Sequence, residues 1–328
     1  MTELVPPTLE GITAAAERLS DVAVRTPLLE SPALNARTGG QILLKAEILQ
    51  RTGSFKFRGA YNFLAQIPPA ARARGVVAYS SGNHAQGVAA AAEIFGVPAT
   101  IVMPADAPRA KVENTRGYGA DVVAYDRQTE LREDIAAAIA DESWATLVPP
   151  FNHPWTIEGQ GTVGLEIAAQ CMAQNATPDE ILVCCGGGGL TAGIAIALSN
   201  RQPSARVRTV EPVGFDDAKR SLLAGQRLSN ETGATSICDA LLSPSTGDLT
   251  FSAMQAHDVT GLSVSDDEVR AAMAYAWRTL KLVLEPGGAV ALAAILSGEI
   301  KTKDRTIVAV LSGGNVDTAL FSACIETA

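Results

Sequence analysis

Two periods of apolar residues alternate along this chain, and their alternation predicts the fold. Residues 8–20, TLEGITAAAERLS, carry helical spacing, and RTPLLESPALNARTG (25–39) reads as an extended lead-in with a short helix. QILLKAEI (41–48) is strand-like and runs to RTGSFKFRGA (51–60), after which KFRGAYNFLAQI turns helical with Ser54 placed to cap it. Strand and helix then take turns. GVVAYSS (75–81) feeds the helix SGNHAQGVAAAAEIFG, ATIVMP (99–104) precedes PRAKVENTRGYG, DVVAYD (121–126) precedes ELREDIAAAIADES, and WATLVPPF (144–151) closes the series. A helix over GTVGLEIAAQCMAQ, a strand over ILVCC (181–185), a loop and helix over GGGGLTAGIAIALSN and a strand over RVRTVEP (206–212) make a second series. Residues 214–262 look irregular, SDDEVRAAMAYAWRTLKL is a capped amphipathic helix, and TIVAVLSGG (306–314) is a last buried strand.

This order predicts an α/β protein of two doubly wound units, the smaller (76–151) inserted in the larger (1–75 and 152–328). Hydrophobic residues make up 47% of 328, enough for a full core. A net charge of -9 without a lysine–arginine run argues against nucleic acid and anionic membranes as partners. No apolar run reaches the roughly 18 residues needed to span a bilayer, and the N-terminus has no signal-peptide pattern, so a cytoplasmic location is expected. Five scattered cysteines show neither a disulfide framework nor zinc spacing.

The candidate chemistry sits where strands end. Lys56, between Phe55 and Phe57 at a helix start, is in surroundings that lower an amine's pKa and make it a nucleophile able to form a Schiff base with a carbonyl. Gly186, Gly187, Gly188 and Gly189 follow a buried strand and open a helix, where convergent amides favour an anion such as phosphate. The run SSGNHAQG, with Ser80, Ser81, Gly82, Asn83 and His84, occupies the same kind of junction and could hold a substrate carboxylate, although a histidine there is more often structural. Ser312, at the end of the last strand, offers a neutral hydroxyl to a ring nitrogen.

SFKFRGA, SSGNHAQG, IEGQGTVGLEI, GGGGLTAG and LSGGNVD, in this order over nearly the whole chain, resemble the threonine/serine dehydratase and serine racemase family of tryptophan-synthase-β-like (type II) pyridoxal-phosphate enzymes. The resemblance implies pyridoxal 5'-phosphate as cofactor, Lys56 as its Schiff-base lysine, Phe55 against its ring, Gly186 to Gly189 on its phosphate, Asn83 on its ring hydroxyl and Ser312 facing its nitrogen. Ser81 stands where threonine deaminases of the family carry a methyl, as in serine racemases and 3-hydroxyaspartate dehydratases, and would be an acid/base opposite Lys56. VEPVGFDD is similar to the racemase branch's cation loop, implying Glu211, Asp217 and the Phe215 carbonyl as ligands for magnesium, manganese or calcium; a solvated acidic turn is the other reading. Arg132 aligns with an arginine that reaches toward dicarboxylates, or is a surface residue paired with its neighbour. Pro149 to Pro154, Glu158 and Glu285 to Ala289 depart from the family's usual pattern around the substrate.

The resemblance thus implies a dehydratase that turns serine, threonine or 3-hydroxyaspartate into a 2-oxo acid and ammonia. A racemase using Lys56 and Ser81 on opposite faces is the nearest alternative, and a catalytically idle binding protein the one from another class. A homodimer is expected by the same resemblance. The pattern ends near residue 328, leaving no regulatory domain in view.

Overall fold

The computed structural model describes residues 5–80, 82–107, 109–126, 128–202 and 204–326. It builds two sheets. Leu28–Glu30, Gln41–Ala46, Thr306–Leu311, Glu180–Cys184, Arg206–Pro212 and Thr260–Val264 form the larger in that spatial order. The short first strand runs antiparallel to its neighbour; the other pairs are parallel. Asp121–Tyr125, Ala99–Pro104, Val76–Tyr79 and Thr146–Leu147 form a wholly parallel smaller sheet. Strands buried on both faces explain the near-continuous apolar runs ILVC and TIVAVL.

Each sheet has its own core. Ile42, Leu44, Ile181, Val183, Val308 and Val310 pack with helices Gly189–Leu198 and Pro286–Ser297 in the larger. Phe57, Phe63 and Leu64 of helix Lys56–Gln66 pack instead with Val76, Val88 and Ile101 of the smaller. Strands that end at one edge of a parallel sheet bring their following loops together, the usual location of ligand sites in such folds. Here Val76–Tyr79 delivers Ser80, Glu180–Cys184 the glycine run and Thr306–Leu311 Ser312 to one cavity.

Two local expectations are corrected. Ser54 does not cap helix Lys56–Gln66: Phe55 occupies the cap position, and Ser54 is extended in an isolated bridge with Gly313. Residues 214–262 hold helices Asp217–Ala224 and Asp248–Ala256 and the first residues of edge strand Thr260–Val264. By contrast, the helix beginning at Asp266 has the expected cap, with Ser265 and Glu268 exchanging hydrogen bonds in a capping box.

Candidate active site

Lys56 begins its helix with its side chain buried in the cavity, where Nζ donates to the Pro150 carbonyl at 2.8 Å. No carboxylate pairs with it among the described residues, and burial lowers its pKa to about 8. Phe55 lies beside it, 5.2 Å from ring centre to Nζ. The loop Gly186–Gly189 lines the same cavity and leads into helix Gly189–Leu198, whose unpaired first amides attract an anion. Only glycine suits two of its positions. Gly188 has φ +89°, and a Cβ on Gly187 would come within 2.2 Å of the Phe151 ring. Thr250 Oγ1 donates to the Gly187 carbonyl at 2.7 Å and braces the loop from behind.

Ser312 and Asn83 have their hydrogen bonds assigned by their neighbours. Burial pushes the Cys184 thiol up to about 11, so it stays protonated and donates to Ser312 Oγ at 3.1 Å. The Ser312 proton is then left to give to an acceptor in the cavity. Asn83 Nδ2 donates to Glu285 Oε1 at 2.5 Å, and Asn83 Oδ1 accepts from Asn315 at 2.8 Å. One N–H of Asn83 remains.

The match to known proteins runs the length of this architecture, with residues 19–313 fitting the family described as pyridoxal-phosphate dependent enzyme. The chain belongs to that family. It is 42% identical to an L-threo-3-hydroxyaspartate ammonia-lyase of a Pseudomonas species over 315 residues, covering 96% of this chain and 97% of the relative. It is 39% identical over 320 residues to a serine racemase of Schizosaccharomyces pombe, covering 97% of each. Among solved structures, maize serine racemase superposes with a TM-score of 0.91 at 36% identity, covering 98% of each chain.

The donor set suits the family's cofactor. A buried amine with no counter-ion among the described residues, an amide-lined anion cradle and a hydroxyl with a proton to give stand around one cavity, as an aldehyde, a phosphate and a ring nitrogen on one molecule require. Ser80 and Gly82 line the cavity too, though the Gly82 amide donates to Ser80 Oγ at 3.2 Å. His84 is buried, donates from Nε2 to the Val148 carbonyl at 2.9 Å, and has its pKa lowered to about 3 by burial and the nearby Lys56 charge. It is neutral at physiological pH and is not a proton shuttle there. Ser81 lies outside the described residues.

Arg132 also reaches the cavity wall, but it is held by Glu133 at 2.9 Å and lies over the Tyr79 ring. Glu211 and Asp217 are both buried, on either side of the exposed turn at Val213 and Gly214. Glu211 accepts from the amides of Ala218 and Lys219 at 2.9 and 2.8 Å, and Asp217 accepts from Asn230 and the Thr246 amide at 2.7 and 2.8 Å. Phe215 is buried alongside. Among the described residues no three histidine, cysteine or acidic side chains gather around one point.

Sequence reasoning set Glu285 near the substrate only as a departure from the family pattern, without a role, and gave no role to Gln160, Lys111 and Asp239; all four line the cavity. Glu285 stands at the N-cap position of helix Pro286–Ser297 without a side-chain capping bond, and that helix is apolar on all sides, a lack of periodicity that hid it; Pro286 at its first turn and Gly298 in the left-handed region were the available signals.

Proposed function

We propose that the protein is a pyridoxal-phosphate-dependent ammonia-lyase that converts a β-hydroxy-α-amino acid to a 2-oxo acid and ammonia. The observation that carries this reading is Lys56: a buried amine with no counter-ion among the described residues, its pKa lowered to about 8, beside an amide cradle. Lys56 would tether the cofactor, Gly186 to Gly189 would hold its phosphate, Asn83 its ring hydroxyl and Ser312 its nitrogen. When bound, the cofactor supplies an electron sink for the charge left as the Cα–H bond breaks.

The chain's own residues set the direction of the chemistry. Lys56 Nζ, once released by the substrate amine, would be unprotonated in part near neutral pH, far more than an ordinary lysine, and would take the Cα proton. Ser312, its oxygen already accepting from Cys184, would offer its proton to the ring nitrogen as a hydrogen bond rather than as a charge, which would favour prompt loss of the β-hydroxyl over long-lived carbanion chemistry. Loss of water leaves an enamine, which tautomerises and hydrolyses to the oxo acid and ammonia. The first residues of helix Asn83–Phe95, with Ser80, would hold the substrate's α-carboxylate. Residues 76–151 would close over it as a unit, excluding water; unchanged amide exchange on inhibitor binding would refute that.

A divalent cation between Glu211, Asp217 and the Phe215 carbonyl belongs to the same reading. It is supported by two buried carboxylates whose ionised forms are disfavoured, first by burial and then, for Glu211, by Asp217 itself. The test of function is a substrate panel. Cofactor-loaded protein is given L- and D-serine, L-threonine and the 3-hydroxyaspartate isomers, and keto acid and ammonia are measured. Inverted amino acid without keto acid would overturn the lyase in favour of a racemase, the activity named for two of the similar proteins above.

A further inference from the structure

An ion pair crosses the cavity. Lys111, from helix Arg109–Gly117 beside the smaller sheet, donates from Nζ to Asp239 Oδ2 at 2.5 Å, and Asp239 opens a short turn beside the larger sheet's glycine loop. Both residues line the cavity. The two partners are unequally placed, the Lys111 side chain being 10% exposed and that of Asp239 43%.

The inequality decides what the pair can do. Leaving a buried ammonium without an anion is costly, whereas a half-exposed carboxylate can return to water at little loss. Lys111 therefore needs an anion, while Asp239 is a replaceable one. Asp239 is itself a carboxymethyl group resting on the ammonium, and the β-carboxylate of an aspartate-like substrate is the same group. The surroundings narrow the choice further. A Cβ on Gly82 would lie 3.4 Å from Lys111 Nζ, so the ammonium adjoins the loop assigned to the α-carboxylate. Arg132, the other cation of this wall, has a side chain 38% exposed to water against 10% for Lys111, so it has no comparable need of an anion from the cavity. Glu285 feels the Lys111 charge but accepts its hydrogen bond from Asn83, and no ion pair joins it to Lys111 among the described residues.

We propose that Lys111 is the distal-carboxylate site of the cavity: a four-carbon dicarboxylic amino acid displaces Asp239 from Lys111 with its second carboxylate. The exchange makes and breaks only an ion pair, with no covalent change. It makes Lys111 the specificity-determining residue for a 3-hydroxyaspartate-like substrate over serine or threonine. It rests on the lyase reading for the identity of that substrate, but not for the binding event.

The test separates the two. Dissociation constants of succinate and of butyrate, equal in length and differing by one carboxylate, are measured by calorimetry on the cofactor-loaded protein. Asp239→Asn should tighten succinate by about tenfold by removing its competitor, with butyrate unchanged. Lys111→Met should weaken succinate by about tenfold or more, towards butyrate, and Lys111→Arg should keep the preference, which separates lost charge from lost folding. Parallel shifts for the two ligands, or no tightening in Asp239→Asn, would overturn the proposal. Succinate preference that follows Lys111, with no ammonia from any amino acid, would sink the lyase reading and leave the site standing; keto acid from serine or threonine with no succinate preference would do the reverse.

Discussion

Glu285 should make the folded chain lose stability as pH rises, and replacing it with glutamine should abolish that loss. Its carboxyl is buried at the head of helix Pro286–Ser297, with Oε1 accepting from Asn83 and Oε2 without a partner among the described residues. Burial pushes its pKa from 4.5 to about 7; the Lys111 charge and the Asn83 hydrogen bond oppose the rise, and the Asp239 charge adds to it. A carboxyl so displaced is harder to ionise in the folded chain by about 3 kcal/mol. The folded value lies above the unfolded one, so the folded state binds the proton more tightly. Below pH 4.5 both states are protonated and ionisation costs nothing. Between there and about pH 7 the unfolded chain ionises first and stability falls; above about 7 the whole cost is present. Glu285→Gln keeps the shape and an acceptor for Asn83 but does not titrate. Its stability advantage over the parent should therefore widen by about 3 kcal/mol from pH 4.5 to pH 8. With an unfolding entropy of about 2.1 cal/mol/K per residue over 328 residues, that is a gain of about 4 °C in Tm. Cofactor-free protein and variant are melted side by side by circular dichroism across this range, other titrations cancelling in the difference. A gap that is the same at both ends, or that narrows as pH rises, would refute the reasoning.

Arg58→Met should cost about 3–5 kcal/mol, because Glu47, fully buried, loses its two hydrogen bonds of 2.8 Å from the guanidinium. Urea unfolding measures this, and a loss below about 1 kcal/mol would show that Lys45 suffices to hold Glu47. Magnesium or calcium should raise the Tm of the parent but not of Asp217→Asn; an equal rise in both would remove Asp217 from the cation site.

What the sequence makes legible here is whatever a strand end decides. GVVAYSS, ILVCCGGGG and TIVAVLSGG each show an apolar run breaking into small polar residues, and in a parallel sheet such breaks converge. The glycine loop, Asn83 and Ser312 are readable on that ground and Lys56 from its two flanking phenylalanines at a helix start, and all of them share one cavity. Lys111 and Asp239 were not. PRAKVENTRG looks like any solvated helix, and the partner that buries its lysine stands 128 residues away. Ser54 misled for a related reason. A serine before a helix is a cap only if its hydroxyl reaches a first-turn amide, and the Ser54 hydroxyl, in a residue bridged to Gly313, is buried without a partner among the described residues. Residues 214–262 hid two helices because their apolar faces are short; Gly225 and its left-handed φ of 69° mark the end of the first.

The three residues Lys56, Phe57 and Arg58 condense the logic of the site. Successive helical residues point about 100° apart, so three in a row face three different environments. Lys56 faces the cavity, Phe57 enters the core of the smaller sheet, and Arg58 turns back to Glu47 and Glu166, where Lys45 completes a buried network. In that network burial pushes Glu47 up, but the charges of Arg58 and Lys45 and the hydrogen bonds from Arg58 and Thr26 outweigh it and hold it ionised. The same first turn therefore contains a cation bound as tightly as the fold allows and an amine left without an anion among the described residues. A reactive lysine needs both. Burial lowers its own pKa unopposed where no carboxylate is near, and a helix start carrying such an unpaired group stays in place only if something else anchors it. Arg58, two residues on and facing the other way, is that anchor, and Phe57 between them ties the same turn to the smaller sheet, whose closure the chemistry would require.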